Sequence, residues 1–583
     1  MIRATLLVAA LSGAVAAGAA AQADTTRDST AARDTLPGIL PTFGLPVPAG
    51  PLPRGARYTF TADSLLFTSA RTLSDLLGHI PGVYVARGGW FGQAEPVVYG
   101  GRGPMALEVY WDGVPYLPLG RDSVYLDPAR ISLAPLERLD VIVLPAALQV
   151  YLVTAQPRST TPVTHIGVAT GDQDIAGYRG GYATRSRSGL GLSLVADYNS
   201  VPNGSAAATT TIFKSTDLWL KAEYVPPHGR LGASLQLLSS NWRRREAAGR
   251  VDPWQQQRRD RSFAFFVASR ADGLGFRLAG TIAGTTVDQD TAVAERTQSQ
   301  TSLEVSHTWP RANLTVTGRF GATGAPSRFE ARGGWVPVPH VTLAATARHA
   351  TYAGGRSGDR AHLAAGVTLP LGFSARGEVA WMKDVQAPLV ITDTIRRQAT
   401  DVAGWLRWDH PRVAIALGRG RRDPFTPLAF AAGIKTVDHL GPTPRTDFIA
   451  AHASVRPLPG VELSGWYFDP FGGGGDFEPP HHARLSASFY SKFWRVFRSG
   501  IFALRAEVAM ESWSGGLSGR DTLDTQLTLG GASFAEINLE LQLGGATLFW
   551  IIRNSNGMRG SYVDGLGHPK RVQLYGARWF FTN

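Results

Sequence analysis

A group of six arginines carries the most concentrated binding chemistry in the sequence. A guanidinium donates two parallel hydrogen bonds to a carboxylate or a phosphate, so such a group suits an anionic solute or the phosphates of a lipid. Side chains that are merely solvated are the plain alternative. We expect all six to share one long loop, between Asn241 and Arg259. The six are Arg243, Arg244, Arg245, Arg250, Arg258 and Arg259.

A second group contains residue types that bind metals. Carboxylates and imidazoles flank the glycine run 472–475, and both are common metal ligands. Their spacing is irregular, however, so we predict no metal site and interpret the segment as a flexible surface loop. The residues are Asp469, Asp476, Glu478, His481 and His482.

Catalysis has little support in the sequence. The chain holds no cysteine, which excludes a thiol nucleophile and a disulfide framework. Serine and histidine are scattered without a nucleophile elbow, and the run Gly100 to Gly103 is too short for a phosphate-binding loop. Glu536 and Glu540 lie on a predicted strand, where a polar face is expected in any case. We therefore predict no enzyme, no catalytic residue and no cofactor.

The composition indicates strands with two different environments. The 583 residues include 66 glycines and 10% aromatic residues, and the mean hydropathy is -0.06. A near-neutral value is typical of a chain whose strands face lipid on one side and water on the other. The formal net charge is +12. Because no basic helix or basic-aromatic module accompanies that charge, we predict no nucleic-acid partner.

The first 57 residues read as a leader and a tether. Residues 1–23 form a secretory signal peptide, with a short basic start at Met1 to Arg3 and a small apolar core from Ala4 to Ala21. A membrane anchor helix is the alternative. Residues 24–57 are polar and then proline-rich, which excludes a helix or a central strand. We interpret them as an extended periplasmic tether.

Residues 58–158 form a compact segment with mixed elements. The pattern from Thr72 to Leu77 starts like a capped helix, and the pair Pro81–Gly82 stops it. Short apolar runs then predict strands at 83–85, 97–99, 107–111, 139–144 and 148–154.

From residue 164 to residue 583 the pattern changes to long two-residue alternation. Between Glu536 and Leu543, for example, every second residue is aliphatic and the residues between are polar. Ten short turns separate these segments, and longer polar connections lie between the turns. Ten turns on one side and eleven loops on the other join about 22 strands, so the sequence predicts an all-β transmembrane fold, an antiparallel outer-membrane β-barrel. The turns are near residues 188–189, 226–229, 272–273, 310, 337–339, 370–372, 411, 457–460, 498–500 and 544–545.

Four motifs in order resemble the TonB-dependent receptor family. The first is the helix from Thr72 to Leu77 with its stop at Ile80 to Val83, and the second is the pair Arg102–Gly103. The third is the turn Asp112–Gly113–Val114–Pro115, and the fourth is the strand Leu136 to Val141, which contains Glu137 and Arg138. The closing strand, Arg571 to Phe581, is similar to the family's barrel-assembly signal, with Trp579 and Phe581 facing one way.

The resemblance implies where a ligand would bind. In this family the small N-terminal α/β domain is a plug inside the barrel lumen, and substrate lies between its upper loops and the extracellular loops. By position these upper loops are 87–93 and 115–124. Arg87, Trp90, Phe91 and Tyr116 could therefore contact a ligand, together with Arg243, Arg244 and Arg245. Simple packing of the plug against the wall is the alternative.

The resemblance also implies partners and a function. The expected location is the bacterial outer membrane, and the expected partners are a TonB-type energy-coupling protein, outer-membrane lipid and lipopolysaccharide, and the barrel-assembly machinery. The implied function is uptake of a scarce solute, which could be a ferric siderophore, cobalamin, a glycan or a peptide. A plugged barrel that binds or assembles at the surface without active transport is the alternative. It is favoured by the weak TonB-box candidate, Asp34 to Leu36, and by a departure from the family pattern between Ile142 and Tyr151.

Overall fold

The computed structural model describes residues 50–582 with short gaps. The residues outside the description are 1–49, 67, 69, 90–91, 117–125, 146, 207–208, 248–253, 270–273, 290–291, 323–324, 353–354, 384–397, 428–429, 433–434, 438–439, 472, 494–495, 497–500, 522 and 583. The predicted signal peptide, most of the tether, the TonB-box candidate, Trp90, Phe91 and Arg250 therefore lie outside the described residues.

Twenty-two antiparallel strands form one closed barrel, which confirms the predicted fold class. The strands of the first half are β8 (Val163–Gly171), β9 (Ala176–Arg185), β10 (Leu190–Ala206), β11 (Thr209–Tyr224), β12 (Leu231–Ala247), β13 (Trp254–Ser269), β14 (Leu274–Gln289), β15 (Ala292–Trp309), β16 (Ala312–Ala322), β17 (Ser327–Trp335) and β18 (Val341–Thr351). Those of the second half are β19 (Ser357–Thr368), β20 (Phe373–Lys383), β21 (Gln398–His410), β22 (Val413–Arg422), β25 (Thr446–Leu458), β26 (Val461–Phe471), β27 (His482–Ser491), β28 (Phe502–Trp513), β31 (Ala532–Leu543), β32 (Ala546–Arg553) and β33 (Val572–Thr582). The closing strand, β33, pairs with β8.

The alternation read from the sequence becomes two faces of the wall. On β31, Leu539 and Leu543 are exposed on the outside, whereas Asn538 and Glu540 are buried on the inside. Polar residues therefore face the lumen and apolar residues face outward, as expected for a barrel in lipid. Each predicted turn falls between two consecutive barrel strands, although the turns at 272–273 and 498–500 are themselves outside the described residues. The turns define a short-turn end of the barrel, and the longer connections define a long-loop end.

Six consecutive strands make one side of the barrel taller than the rest. β10 to β15 have 16 to 18 residues each, while the other barrel strands have 8 to 13. This tall wall corrects the predicted loop from Asn241 to Arg259. Arg243, Arg244 and Arg245 lie on β12, and Arg258 and Arg259 lie on β13, where their partners on β12 are Trp242 and Asn241. β12 and β13 continue beyond the apolar zone, where both faces carry arginine and other polar side chains beside the inward Trp242.

Residues 57–154 build a five-stranded sheet in the order β1-β6-β7-β4-β5. The plug elements are β1 (Arg57–Thr61), α1 (Ala62–Leu66), α2 (Leu73–Leu77), β2 (Val83–Val85), β3 (Val97–Tyr99), β4 (Leu107–Trp111), β5 (Val114–Pro115), β6 (Leu136–Leu144) and β7 (Ala147–Thr154). The predicted elements are present, and β1, α1 and β5 are additional. The plug has its own hydrophobic core, and Leu77, Leu139 and Val150 are among the fully buried residues in it. Two short hairpins belong to the long loops, β23 (Phe430–Ala432) with β24 (Lys435–Val437), and β29 (Gly516–Arg520) with β30 (Gln526–Leu529).

Among the described residues, no helix is long and apolar enough to cross a membrane.

Candidate functional site

The plug lies in the lumen and is fastened to the wall by charged side chains. Arg102 donates to Asp401 of β21 at 2.6 Å, and both side chains are 1% exposed. Glu108 accepts from Arg348 at 2.6 Å and from Arg360 at 2.5 Å. Burial alone would raise the pKa of Glu108, but the two guanidiniums outweigh burial and hold it well below its ordinary value. These contacts keep the plug charges paired against the wall.

The Arg102–Gly103 motif has a structural role in this arrangement. Arg102 also donates to the Asp423 carbonyl at 3.1 Å, and its guanidinium carbon lies 4.6 Å from the centre of the Phe425 ring. Gly103 has a φ of +60°, and a Cβ there would lie 2.9 Å from Pro427. The motif therefore brings plug backbone into close contact with the loop that follows β22, and a glycine is needed at the point of contact.

The Asp112–Gly113 turn joins β4 to β5 and connects this hairpin to Thr154 at the end of β7. Both residues have positive φ, 45° and 80°, as a two-residue hairpin turn of the I′ type requires. The Asp112 carboxylate accepts from the backbone N–H of Thr154 at 2.9 Å and from its hydroxyl at 2.6 Å. Arg277 of the wall donates to the Asp112 carbonyl at 2.8 Å, and Gln300 donates to the Pro115 carbonyl at 3.5 Å.

Glu137 and Arg138 stabilise the edge of the plug sheet and the segment that leads from the plug to the barrel. The Glu137 carboxylate accepts from the Gln156 N–H at 3.0 Å, in the segment that leads to β8. Arg138 donates to Asp140 at 2.7 Å, and Thr59 of β1 donates to the same carboxylate at 2.6 Å. These motif residues are structural fastenings.

Over the second half of the barrel the long loops fold inward and cover the plug. Tyr84 of β2 donates its hydroxyl proton to the Tyr562 carbonyl at 2.7 Å. The Phe534 and Tyr562 rings stack at 4.9 Å with an interplanar angle of 15°. We name this group the loop cap. Its buried members are Leu440, Phe477, Trp513, Leu529, Phe534, Tyr562, Val563 and Leu566.

Three of the five carboxylates and imidazoles of residues 469–482 are buried in this covered half, so the interpretation of the segment as a flexible surface loop is wrong for Asp476, Glu478 and His482, whereas the His481 side chain is exposed. Glu478 is buried, bonds Arg422, and accepts from the Gly101 N–H at 2.8 Å. Asp476 accepts from the Gly441 N–H at 2.6 Å, and His482 contacts Glu511 at 2.9 Å. Within the described residues no cluster of three or more such side chains is arranged to hold a metal ion.

Beside the tall wall the plug presents a buried cation to aromatic rings. Arg130 ends a short 3-10 helix, Pro128–Arg130, which Asp127 caps by accepting from the Ala129 N–H at 3.1 Å. The Arg130 guanidinium carbon lies 4.9 Å from the centre of the Phe213 ring and 4.6 Å from that of Trp242. Arg244 approaches the same Trp242 ring at 5.3 Å. Trp242 therefore contacts two cations, each of which is attracted to its π face.

Two small cavities lie between the plug and the tall wall. Both are lined by Arg130, Ser132, Asp197 and Asp217, and we name them together the Arg130 chamber. Within the described part of the chain Arg130 forms no ion pair, and its Nε has no hydrogen-bond partner. Burial lowers the pKa of this guanidinium, and Asp217 and Asp127 raise it again in part. A buried cation with unused donors can accept an anionic group.

The structure separates the sequence-predicted ligand residues. Tyr116 lines the Arg130 chamber, and Arg244 points inward above it. Arg87 does not reach the chamber, because it is buried in ion pairs with Asp75 at 2.9 Å and Glu95 at 3.3 Å. Arg243 and Arg245 are exposed on the opposite, outer face of β12. Of the predicted ligand residues that the structure describes, only Tyr116 and Arg244 therefore lie at the Arg130 chamber.

Arg130 and Trp242 were missed by reasoning from the sequence. Both stand in segments without a motif, and 112 positions separate them. One signal was present for Trp242, because an aromatic residue in a polar run fits a strand better than a loop.

The predicted assembly residues lie on the closing strand. Trp579 pairs with Ile166 of β8, and Phe581 pairs with Thr164, so both stand at the seam that closes the barrel. Phe581 is 45% exposed.

No protein-family model and no curated protein matches the chain. Solved structures do. A mutant of the ferric enterobactin receptor PfeA from Pseudomonas aeruginosa has a TM-score of 0.71 at 11% identity, over 90% of this chain and 98% of that chain. The ferric yersiniabactin uptake receptor FyuA from Yersinia pestis has a TM-score of 0.67 at 12% identity, over 90% and 97%. The copper transporter OprC has a TM-score of 0.71 at 11% identity, over 91% and 99%. At these identities the likeness shows the fold.

Proposed function

We propose that this chain, which has the plugged 22-stranded fold of TonB-dependent receptors, captures a scarce solute and takes it up across the bacterial outer membrane. The short-turn end is then periplasmic and the long-loop end extracellular. The observation that carries the proposal is the plug, which fills the lumen and is fastened to the wall by pairs such as Arg102–Asp401 and Glu108–Arg348. A passive porin requires an open lumen, and the plug removes it.

The plug–wall contacts suit a plug that moves under force. The main plug core is internal to the plug, while many of its contacts with the wall are hydrogen bonds and ion pairs. Water can replace such contacts when the plug shifts, whereas an apolar interface would lose its burial free energy. The plug therefore has a stable core of its own and a polar boundary with the wall. It can slide along this boundary or partly unfold.

The substrate class that we infer is an anionic solute. The support is Arg130, whose guanidinium is buried against Phe213 and Trp242 without an ion-pair partner in the described residues. Charge and ring surface together favour an anion that also has a planar or apolar part. Solved structures with this fold include receptors described for ferric enterobactin and ferric yersiniabactin. The chemical identity of the solute here, a siderophore, cobalamin, a glycan or a peptide, stays open in the proposal.

Energy coupling is the second half of the proposal, with a TonB-type protein as the partner. The tether enters the plug through β1, which is an edge strand paired with β6 alone. A pull on the tether would load this edge first, because strands at an edge separate without disrupting the rest of the sheet.

The first experiment measures binding of a TonB C-terminal domain from the same organism to the purified full-length protein and to a variant that lacks residues 24–49. Binding that disappears with the deletion supports energy-coupled uptake. Equal binding by both proteins places the contact elsewhere. Absence of binding to either protein contradicts energy coupling, and circular dichroism shows that the barrel of each variant is folded.

A plugged barrel that binds or assembles at the surface without transport is the second candidate. The loop cap favours it, because its rings, among them Trp513 and Tyr562, pack over the plug residue Tyr84. The two candidates differ in one measurement. A receptor that transports accumulates solute in cells only when a TonB protein is active, while a surface protein retains binding and gives no accumulation.

A further inference from the structure

A group of cations lies on the outer surface of the tall wall. The side chains of β11 to β13 alternate, so that Phe213, Trp242 and Arg244 point inward and the residues beside them point outward. Five outward residues are basic, and each is exposed. We name them the outer basic patch. They are Lys214, Arg243, Arg245, Arg259 and Arg261.

The strand register brings these cations close together. Lys214 is paired with Arg243 across β11 and β12, so their Cβ atoms are neighbours about 5 Å apart. Arg259 is paired with Asn241, which places it diagonally from Arg243 at about 7 Å. Arg261 and Arg245 extend the patch below and above this centre. A phosphate group placed between Lys214, Arg243 and Arg259 can be reached by all three side chains.

The height of the patch matches the polar interface of a membrane. Lys214 lies ten positions from Tyr224, and Arg259 ten positions from Ser269, at the short-turn ends of their strands. Each residue of a tilted strand rises about 2.5 Å along the membrane normal, so ten residues rise about 25 Å, which is the height of the apolar band. Below the patch the outward side chains are apolar, among them Leu218, Leu237 and Phe263. The cations therefore stand directly above the hydrocarbon region.

The patch lacks the acidic partners that neutralise other outward arginines. Among the described residues, its five cations form no ion pair, although Arg243 donates to the Gln255 side chain at 3.2 Å. On β22 the outward Arg421 bonds Asp447 at 2.8 Å, and in the loop beyond it Arg445 bonds Asp423 at 3.2 Å. The acids nearest the patch on the outer face are Asp288 and Glu295, on β14 and β15. They border the patch and do not pair with it.

We propose that the outer basic patch binds the phosphates of a phosphorylated glycolipid of the outer leaflet, of the lipopolysaccharide type. A phosphate needs several donors at the height of the headgroups, and guanidiniums provide them bidentately. The glycolipid's acyl chains would lie against the outward apolar residues below, which a soluble anion cannot use. This site is on the lipid side of the wall, opposite the Arg130 chamber, and it does not depend on the proposed transport.

The test compares lipid binding by the delipidated full-length protein, the triple variant K214Q/R243Q/R259Q and the control variant R419Q/R421Q. Binding of bisphosphorylated lipid A is measured in detergent by native mass spectrometry and titration. We expect about tenfold or greater weakening in the triple variant, which corresponds to about 1.4 kcal/mol or more. The control variant should bind like the unmodified protein, because its arginines lie away from the patch. Circular dichroism and heat-modifiable gel mobility show that each barrel is folded.

Two further measurements identify the source of the phosphate. A lipid A that lacks its phosphates should bind as weakly to the unmodified protein as lipid A does to the triple variant. Excess inorganic phosphate should leave the lipid bound, since it cannot contact the apolar belt. The proposal is overturned if the triple variant binds normally, if the control loses as much affinity, or if inorganic phosphate displaces the lipid completely.

Discussion

Arg102 of the plug and Asp401 of the barrel wall form an ion pair in which each side chain is 1% exposed, although 299 positions separate them in the sequence. The Arg102 guanidinium also lies over the Phe425 ring, so it is shielded from water while the plug stays in this position. Loss of one partner from a buried pair leaves an uncompensated charge, which costs about 3 to 5 kcal/mol. This pair therefore acts as a fastening between the two parts of the molecule.

The variant Asp401→Asn should loosen the plug while the barrel stays intact. Removal of the carboxylate leaves the Arg102 guanidinium buried without a counter-ion, so plug positions near Arg102 should sample displaced states. We expect more frequent ion-conducting events in planar bilayers and faster amide exchange in residues 97–106. Asp447→Asn is the matched control, because Asp447 pairs with the exposed Arg421 and exposed pairs contribute at most about 1 kcal/mol. Equal conductance in both variants would contradict the fastening role.

Gly113→Ala should destabilise the plug by about 1 to 3 kcal/mol. The turn holds Gly113 at a φ of +80°, and a Cβ there would lie 2.2 Å from the Arg277 guanidinium. That guanidinium would have to move and would lose its hydrogen bond to the Asp112 carbonyl. The measurement is amide exchange of β4 and β7 in the full-length protein.

Gly355→Ala separates backbone strain from the steric clash. Gly355 has a similar φ of +73°, and the structure places no described atom within 4 Å of a Cβ there. If alanine at Gly113 destabilises the protein no more than alanine at Gly355, the Arg277 guanidinium moves freely and the turn does not depend on Arg277.

Much of the fold could be predicted because it is written in local patterns. The two-residue alternation from Glu536 to Leu543 became β31, and the turn residues between strands gave the count of 22. The Asp112–Gly113 pair gave its hairpin because few other residues adopt positive φ at two successive positions. The extra length of the strands in the tall wall could not be predicted from such local patterns. Towards the long-loop end, β12 and β13 carry arginine or glutamine on both faces, so the alternation disappears and a strand resembles a loop.

The candidate site was less accessible to prediction than the fold. Arg130 and Trp242 meet only because the plug stands inside the barrel, and no local spacing encodes that contact. The polar group at 469–482 shows the same limit, since Glu478 is buried by a plug residue, Gly101, that is far away in the sequence. Arg87 was expected to face a ligand, but its partners Asp75 and Glu95 are recognisable as partners only in three dimensions.

The end of the tether is held in a groove lined by glycines, and filling that groove should release it. A Cβ on Gly334 would lie 2.6 Å from the Pro51 carbonyl oxygen, and one on Gly366 would lie 2.8 Å from Pro53. The double variant G334A/G366A should therefore displace residues 51–53 and speed tryptic cleavage after Arg54 by about fivefold, equivalent to about 1 kcal/mol of lost docking. The rate of appearance of the cleaved N-terminus is the measurement.

Gly377 and Gly404 provide the control for the tether prediction. They stand opposite each other on β20 and β21, and no described atom lies within 4 Å of a Cβ on either. The variant G377A/G404A changes the same number of strand glycines without filling the groove, and its cleavage rate should match that of the unmodified protein. Equal acceleration in both double variants would show that the effect comes from the barrel and not from the docked tether.

The loop cap should open as the pH falls, because His568, which packs against the cap residues Phe534 and Tyr562, is held neutral. Burial, together with the nearby Arg87 and Arg553, lowers the pKa of His568 to about 3. An opened cap returns the imidazole to its ordinary pKa, so the open form binds more protons between about pH 6.5 and pH 3, and cap stability rises with pH across that window. On going from pH 7 to pH 5 the cap should lose roughly 2 kcal/mol. Amide exchange of residues 555–570, corrected for intrinsic rates, measures this opening.

The variant His568→Phe makes the pH prediction specific to one side chain. Phenylalanine keeps an aromatic ring against Phe534 and Tyr562, whose ring centres lie 4.9 and 5.3 Å from that of His568, but it cannot take up a proton. Its exchange should therefore change little between pH 7 and pH 5, while His410→Phe, at an exposed turn, should open like the unmodified protein. The carboxylates that face His568, Glu511 and Glu536, raise its pKa and oppose the two arginines. If the cap of His568→Phe still opens at pH 5, these carboxylates or the buried His79 control it, and the assignment to His568 is wrong.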